Sequence, residues 1–183
     1  MSTDVLSEVL YAVRLTGAVF FKVEGSAPWV AEAPEAKWVA PYVMPGAEHV
    51  IEYHVVTKGS CWGGLVGEPP VRLQAGDVLV FPQGDAHIMS SAPGMRGPLD
   101  LEAFKKPKQG QLPVALSFNP SGSEVAQLVC GFIGCDARPF NPLLATLPRV
   151  LHVQQKTADD GALLEQLIRV AVVESGARRA GGE

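Results

Sequence analysis

Four side chains in this sequence carry donors that a soft divalent cation would take: His54, Cys61, His87 and Cys130. Two imidazoles and two thiolates suit Zn²⁺ in a closed tetrahedral site, structural rather than catalytic because no position is left open for a substrate. Strand parity brings three of them together. If Lys58-Gly59 is a two-residue turn between strands, Thr57 pairs with Ser60 and Val56 with Cys61, and paired residues share a face. Glu52, His54, Val56 and Cys61 then lie on one face and His49 on the other. His87 opens a later strand, and Cys130 sits on another where one more ligand could enter. Packing is the competing reading, since free cysteine is also a small core hydrophobe and buried imidazoles are normally hydrogen-bonded. Cys135 and His49 read as bystanders, and His152 as a hydrogen-bonded packing residue.

The elements that must hold these groups are mostly short strands. Ala75-Gly76-Asp77 signals a turn, Val78 to Phe81 a β-prone run ended by Pro82, and Gln83-Gly84-Asp85 a second turn that delivers His87 to the next strand. Upstream, residues 3 to 14 have the spacing of a short amphipathic helix behind Ser2-Thr3-Asp4, and Leu15 to Val23 reads as the first strand. Pro28 to Val39 reads as an irregular connection containing Trp29 and Trp38. His49 to Thr57 and Ser60 to Leu65 read as a hairpin, residues 92 to 112 as a long loop, and Val114 to Phe118 with Val125 to Ile133 as a further hairpin. A proline-bounded helical turn at Asn141 to Pro148, an extended piece at Val150 to Val153 and a helix from about Gly161 to Glu174 close the chain. This order predicts one mainly β domain over residues 1–183, with a barrel about 15–135 and a C-terminal helical segment about 140–176. The apolar stripe Leu163, Leu164, Leu167, Ile168 and Ala171 points to a homodimer.

The spacing from Gly76 through Pro82 and Gly84 to His87 resembles the second motif of the cupin superfamily, jelly-roll β-barrels in which this histidine points inward and often binds a metal. Glu52 stands where the glutamate of the first cupin motif would, seven residues before Gly59. The histidine pair of that motif is replaced by Pro45 and Ala47, which argues against the usual metal-dependent oxygenases and isomerases. Further along, Leu15-Thr-Gly-Ala-Val-Phe-Phe, Tyr53-His-Val-Val with Gly59-Ser-Cys-Trp, Leu128-Val-Cys-Gly, and Asn141-Pro-Leu-Leu with Leu151-His-Val resemble the N-terminal sensor domain of AraC-type transcription regulators. That resemblance implies a small-molecule-sensing, dimerising domain that acts on transcription through a DNA-binding unit outside this chain. No catalytic residue is assigned. The effector is expected to enter near Trp29 and Trp38 and to contact Glu52. A small stand-alone metal-dependent cupin enzyme, using Glu52, His87 and His54, is the alternative.

Composition agrees with a binding domain and excludes some partners. A net charge of −4 and a pI of about 5.6 provide no field that would attract nucleic acid, so direct DNA binding by this chain is not expected. No apolar run reaches membrane-spanning length and no basic signal region opens the chain, which predicts a cytoplasmic location. Three cysteines, an odd number, do not suggest a disulfide framework.

Overall fold

The computed structural model describes residues 16–105, 112–135, 146–154 and 166, and structural statements below concern these residues. In chain order the elements are β1 (Thr16–Ser26), β2 (Val30–Ala33), α1 (Ala36–Val43), β3 (His49–Lys58), β4 (Ser60–Leu65), β5 (Val71–Gln74), β6 (Val78–Phe81), β7 (His87–Ser90), α2 (Glu102–Lys105), β8 (Val114–Phe118), β9 (Val125–Cys135) and β10 (Leu151–Val153). The strands form a six-stranded sheet in the order β10-β6-β3-β9-β1-β8 and a four-stranded sheet in the order β2-β7-β4-β5. The mainly β, jelly-roll arrangement expected from the sequence is what forms, as two sheets rather than a closed barrel among the described residues.

The inner faces meet over a core in which Phe20, Val39, Val56, Leu73, Leu79, Phe81 and Leu128 are fully buried. Each such side chain contributes roughly 1.5–3 kcal/mol by leaving water. β3 lies in the middle of the larger sheet, paired antiparallel with β6 on one side and β9 on the other. Both of its edges are therefore covered by neighbouring strands.

Two expected hairpins are corrected. β3 and β4 do not pair: the chain passes from one sheet to the other at Lys58-Gly59, so Cys61 lies opposite Leu73 of β5 while Val56 lies opposite Leu128 of β9. The cause is local. The β3–β9 register shifts between Val56 and Lys58, and Gly59 adopts φ +74 with its would-be Cβ only 2.3 Å from the Val125 carbonyl oxygen. A bulge followed by a left-handed glycine turns a corner instead of closing a hairpin. β8 and β9 do not pair either, because β1 lies between them, parallel to β8 and antiparallel to β9. The loop joining them is tied to the end of β1 by Ala27 N–H donating to the Glu124 carbonyl at 2.8 Å and by Asn119 Nδ2 donating to the Pro28 carbonyl at 3.2 Å.

The connection expected to be irregular over 28–39 contains β2 and the first half of α1. Ala36, Val39 and Val43 supply the buried face of α1, a helical spacing partly hidden by Pro41 within it. The long loop read over 92–112 includes α2, which inserts Phe104 into the core. The extended piece before the C-terminal segment is β10, paired with β6. The expected helices at 3–14 and about 161–174, and most of the turn at 141–148, lie outside the described residues.

Candidate functional site

Glu52 and His54 are two residues apart on the inner face of β3, as strand parity requires. β9 sets Phe132 opposite Glu52 and Cys130 opposite His54. From the facing sheet, β7 presents His87, which has no solvent exposure. The turn before β7 explains the motif residues: Gly84 takes φ +66, and a Cβ there would come within 2.6 Å of Ala36 Cβ and 2.8 Å of the Val50 carbonyl oxygen. His49 Nε2 donates to the Pro82 carbonyl at 2.6 Å, tying the turn to the start of β3.

The imidazoles meet directly, with His54 Nε2 and His87 Nε2 2.7 Å apart. Their tautomers follow from their partners. His87 Nδ1 lies 2.9 Å from the Asp85 carbonyl oxygen, which can only accept, so Nδ1 carries the proton and Nε2 of the neutral ring is an acceptor. His54 Nε2 is therefore the donor between the rings, and His54 Nδ1 is left with a lone pair. That atom is buried without a hydrogen-bond partner among the described residues, as is Glu52 Oε1. Phe81 stacks on His87 with ring centroids 3.8 Å apart and planes 13° from parallel, fixing the ring that orients the pair.

Burial decides the protonation states. It pushes Glu52 up to about 8. Burial also holds His54 well below its ordinary range, with His87 adding to the effect, and lowers His87 to about 4 against the opposing pull of Asp85. At 3.8 Å, Glu52 Oε2 and His87 Nε2 are thus two neutral groups, too far apart for a hydrogen bond, rather than an ion pair. The thiols are held protonated: burial, then Asp77, pushes Cys61 up to about 12, and burial, then Cys61 and Glu52, raises Cys130 further.

Glu52, His54, His87 and Cys130 line a cavity of about 380 Å³ between the sheets. The rest of its wall is largely apolar, including Phe21, Trp29, Phe104, Phe118 and Phe132. This combination of apolar walls and a few convergent polar atoms is what small-molecule sites use.

The fold and cavity define a jelly-roll sandwich that houses a chamber between its two sheets. A family model described as Cupin matches residues 4–183, and the chain belongs to the cupin family. No curated protein matches it. No described helix is long and apolar enough to cross a membrane.

The four expected metal ligands do not converge. Among the described residues, no three His, Cys, Asp or Glu side chains form a group that could hold a metal ion. Zinc bonds of about 2.0–2.1 Å in tetrahedral geometry would hold two ligating nitrogens about 3.3 Å apart. The Nε2 atoms instead stand at hydrogen-bonding distance, with a proton between them. Cys61, on β4, is buried in the core opposite Leu73 and does not line the cavity. As arranged, the set fits a proton-linked imidazole pair and does not fit zinc.

The expected ligand-contacting residues divide. Glu52 and Trp29 line the cavity, and Trp29 is buried. Trp38 is 61% exposed and does not line it, because α1 turns Ala36, Val39 and Val43 inward. His152 hydrogen-bonds to Asp77 Oδ2 at 3.1 Å. The sequence reading missed Asp85 and Arg149. Arg149 grips both Asp85 carboxylate oxygens at 2.8 and 3.2 Å and reaches Glu68 Oε1 at 3.0 Å, joining the segment before β10 to the turn that carries His87. The spacing Asp85-x-His87 was visible, but its arginine partner lies 64 residues away.

Proposed function

We propose that this cupin is the small-molecule-sensing and dimerisation domain of an AraC-type transcription regulator, acting through a DNA-binding unit outside residues 1–183 and located in the cytoplasm. It binds its effector without transforming it. The observation that carries this reading is the apolar cavity lined by Glu52 and His54, each of which holds a buried polar atom, Oε1 and Nδ1, without a partner among the described residues. An occupant that satisfied them would recover the cost of burying both, roughly 1–3 kcal/mol for each.

A route outward supports sensing. His54 is hydrogen-bonded to His87, His87 to the Asp85 backbone, and Asp85 through its carboxylate to Arg149, two residues before β10. A ligand that pulls on His54 therefore acts on groups bonded to the C-terminal segment. Catalysis by a metal-dependent cupin would need several nitrogen lone pairs free for the ion, and here His87 Nε2 spends its lone pair on the His54 N–H, leaving only that of His54 Nδ1.

A thermal-shift screen of small molecules, followed by hydrogen exchange with each hit, tests the proposal. Hits should stabilise the wild type, lose their effect in Trp29→Ala, keep it in Trp38→Ala, and slow amide exchange over 147–154. Conversion of a hit to product on mass spectrometry, or hits that leave exchange over 147–154 unchanged, would sink the sensor reading.

A further inference from the structure

The geometry points to a hydrophobic amine, an aromatic or alkyl body with a primary ammonium head, as the class of molecule the cavity takes. This inference rests on the binding-cavity reading above and adds to it the chemistry of the ligand's head group.

Both unpartnered atoms lie on the same inner strand face. His54 Nδ1 is an acceptor and cannot be otherwise, since the chain of bonds from the Asp85 carbonyl through His87 fixes the His54 proton on Nε2. Glu52 Oε1 is the second free oxygen or nitrogen at this end of the cavity. A head group that serves His54 Nδ1 must therefore bring a hydrogen-bond donor, and one that also holds Glu52 in its ionised form, placed between residues i and i+2 of a strand, must bring at least two. A primary ammonium carries three; a hydroxyl carries one.

Charge selects in the same direction. Three carboxyl side chains line the cavity, those of Glu32, Glu52 and Asp100, and among the described lining residues there is no lysine or arginine. Two of the three are already engaged. Glu32 receives Arg96 Nε at 2.5 Å and the Gly97 N–H at 3.0 Å, while Asp100 Oδ1 receives the N–H groups of Glu102 and Ala103 at 3.0 and 3.3 Å. Glu52 alone has no donor. An anionic head would meet the imidazole lone pair with no cation to balance it, whereas a cationic head makes the otherwise neutral Glu52 ionise, its carboxyl proton passing to solvent, and so acquires a counter-charge. Phe21, Phe104, Phe118 and Phe132 accept the apolar body, and a volume of about 380 Å³ suits a single ring with a short chain.

Calorimetric titration of the full chain with 2-phenylethylamine, 2-phenylethanol and 3-phenylpropionate isolates the head group on a common body. The amine is expected to bind at least about tenfold more tightly than either of the others, the scale of one charge-assisted hydrogen bond. In Glu52→Gln that preference should vanish while affinity for the alcohol stays within about twofold, because the amide is near in shape and already neutral. The ranking of the three probes on the wild type stands whether or not the variant folds. Alcohol or carboxylate binding as tightly as the amine overturns the amine and leaves the cavity reading intact. Failure of all three to bind, with Trp29 emission unmoved, overturns both.

Discussion

Glu52 and the two histidines pull the pH dependence of stability in opposite directions. Glu52 stays protonated in the fold up to about 8 but ionises near 4.5 once unfolded, so between these values folding takes up a proton and stability falls as pH rises. The histidines behave in reverse. His87 is lowered to about 4 and His54 well below 6.5, so beneath pH 6.5 the unfolded chain binds protons that the fold does not, and stability falls as pH drops. Between 4.5 and 6.5 two imidazoles outweigh one carboxyl, and between 6.5 and 8, below the range of the buried thiols, the carboxyl acts alone. Chemical denaturation across pH should therefore show a maximum near 6.5, with limbs of at most about 1.4 kcal/mol per pH unit. Glu52→Gln should flatten the limb between 6.5 and 8 and steepen the acid one. At this scale parity was a sound guide, because alternation along one strand needs no knowledge of its neighbours: it set Glu52 and His54 on a common inner face. It could not reveal that His54 and His87 bond to each other, which depends on the spacing between two sheets.

Between elements, the corner at Gly59 does the most to separate the two sheets. Gly59→Ala forces a side chain into a left-handed conformation and against the Val125 carbonyl, and should cost about 3 kcal/mol by denaturant titration. A loss below about 1 kcal/mol would mean that the corner relaxes and the backbone is not constrained there. The bond between Arg149 and Asp85 carries a different expectation. Both side chains are partly exposed, so Arg149→Ala should change stability by no more than about 1 kcal/mol. It should nevertheless abolish the ligand-dependent slowing of exchange over 147–154, while ligand affinity changes little. The elements themselves were legible where β-prone residues met clear turn residues, as from Val78 to His87. Pairing was not. A glycine turn after β3 reads as a hairpin in one dimension, and only the bulge at Val56–Lys58 and the closeness of Val125 show a corner. The α1 spacing of Ala36, Val39 and Val43 was present in the sequence but obscured by Pro41 and by two tryptophans read as a pair, of which only Trp29 reaches the cavity.

For the whole molecule, a sandwich with an internal chamber becomes a sensor when its state is passed to another subunit. On the proposed reading, the sequence stripe Leu163, Leu164, Leu167, Ile168 and Ala171, outside the described residues, is the expected dimer face. Leu167→Asp should convert a dimer to a monomer in sedimentation velocity and leave ligand affinity within about twofold, since the cavity is built from other segments. The cupin family was legible from Gly76, Pro82, Gly84 and His87 because that turn admits few residue types. Among the described residues the four expected ligands do not gather into a group of three or more, since residue types name possible ligands while only interatomic distances decide whether they gather. The central claim is that the imidazoles form a neutral, proton-linked pair that leaves His54 Nδ1 open to a ligand. Nitrogen-15 spectra of the histidine side chains at pH 7, before and after one equivalent of zinc, test it most directly. Neutral rings protonated at Nδ1 of His87 and Nε2 of His54, both unchanged by zinc, are expected. Cationic rings, or Nε2 resonances that both move when zinc is added, would contradict it.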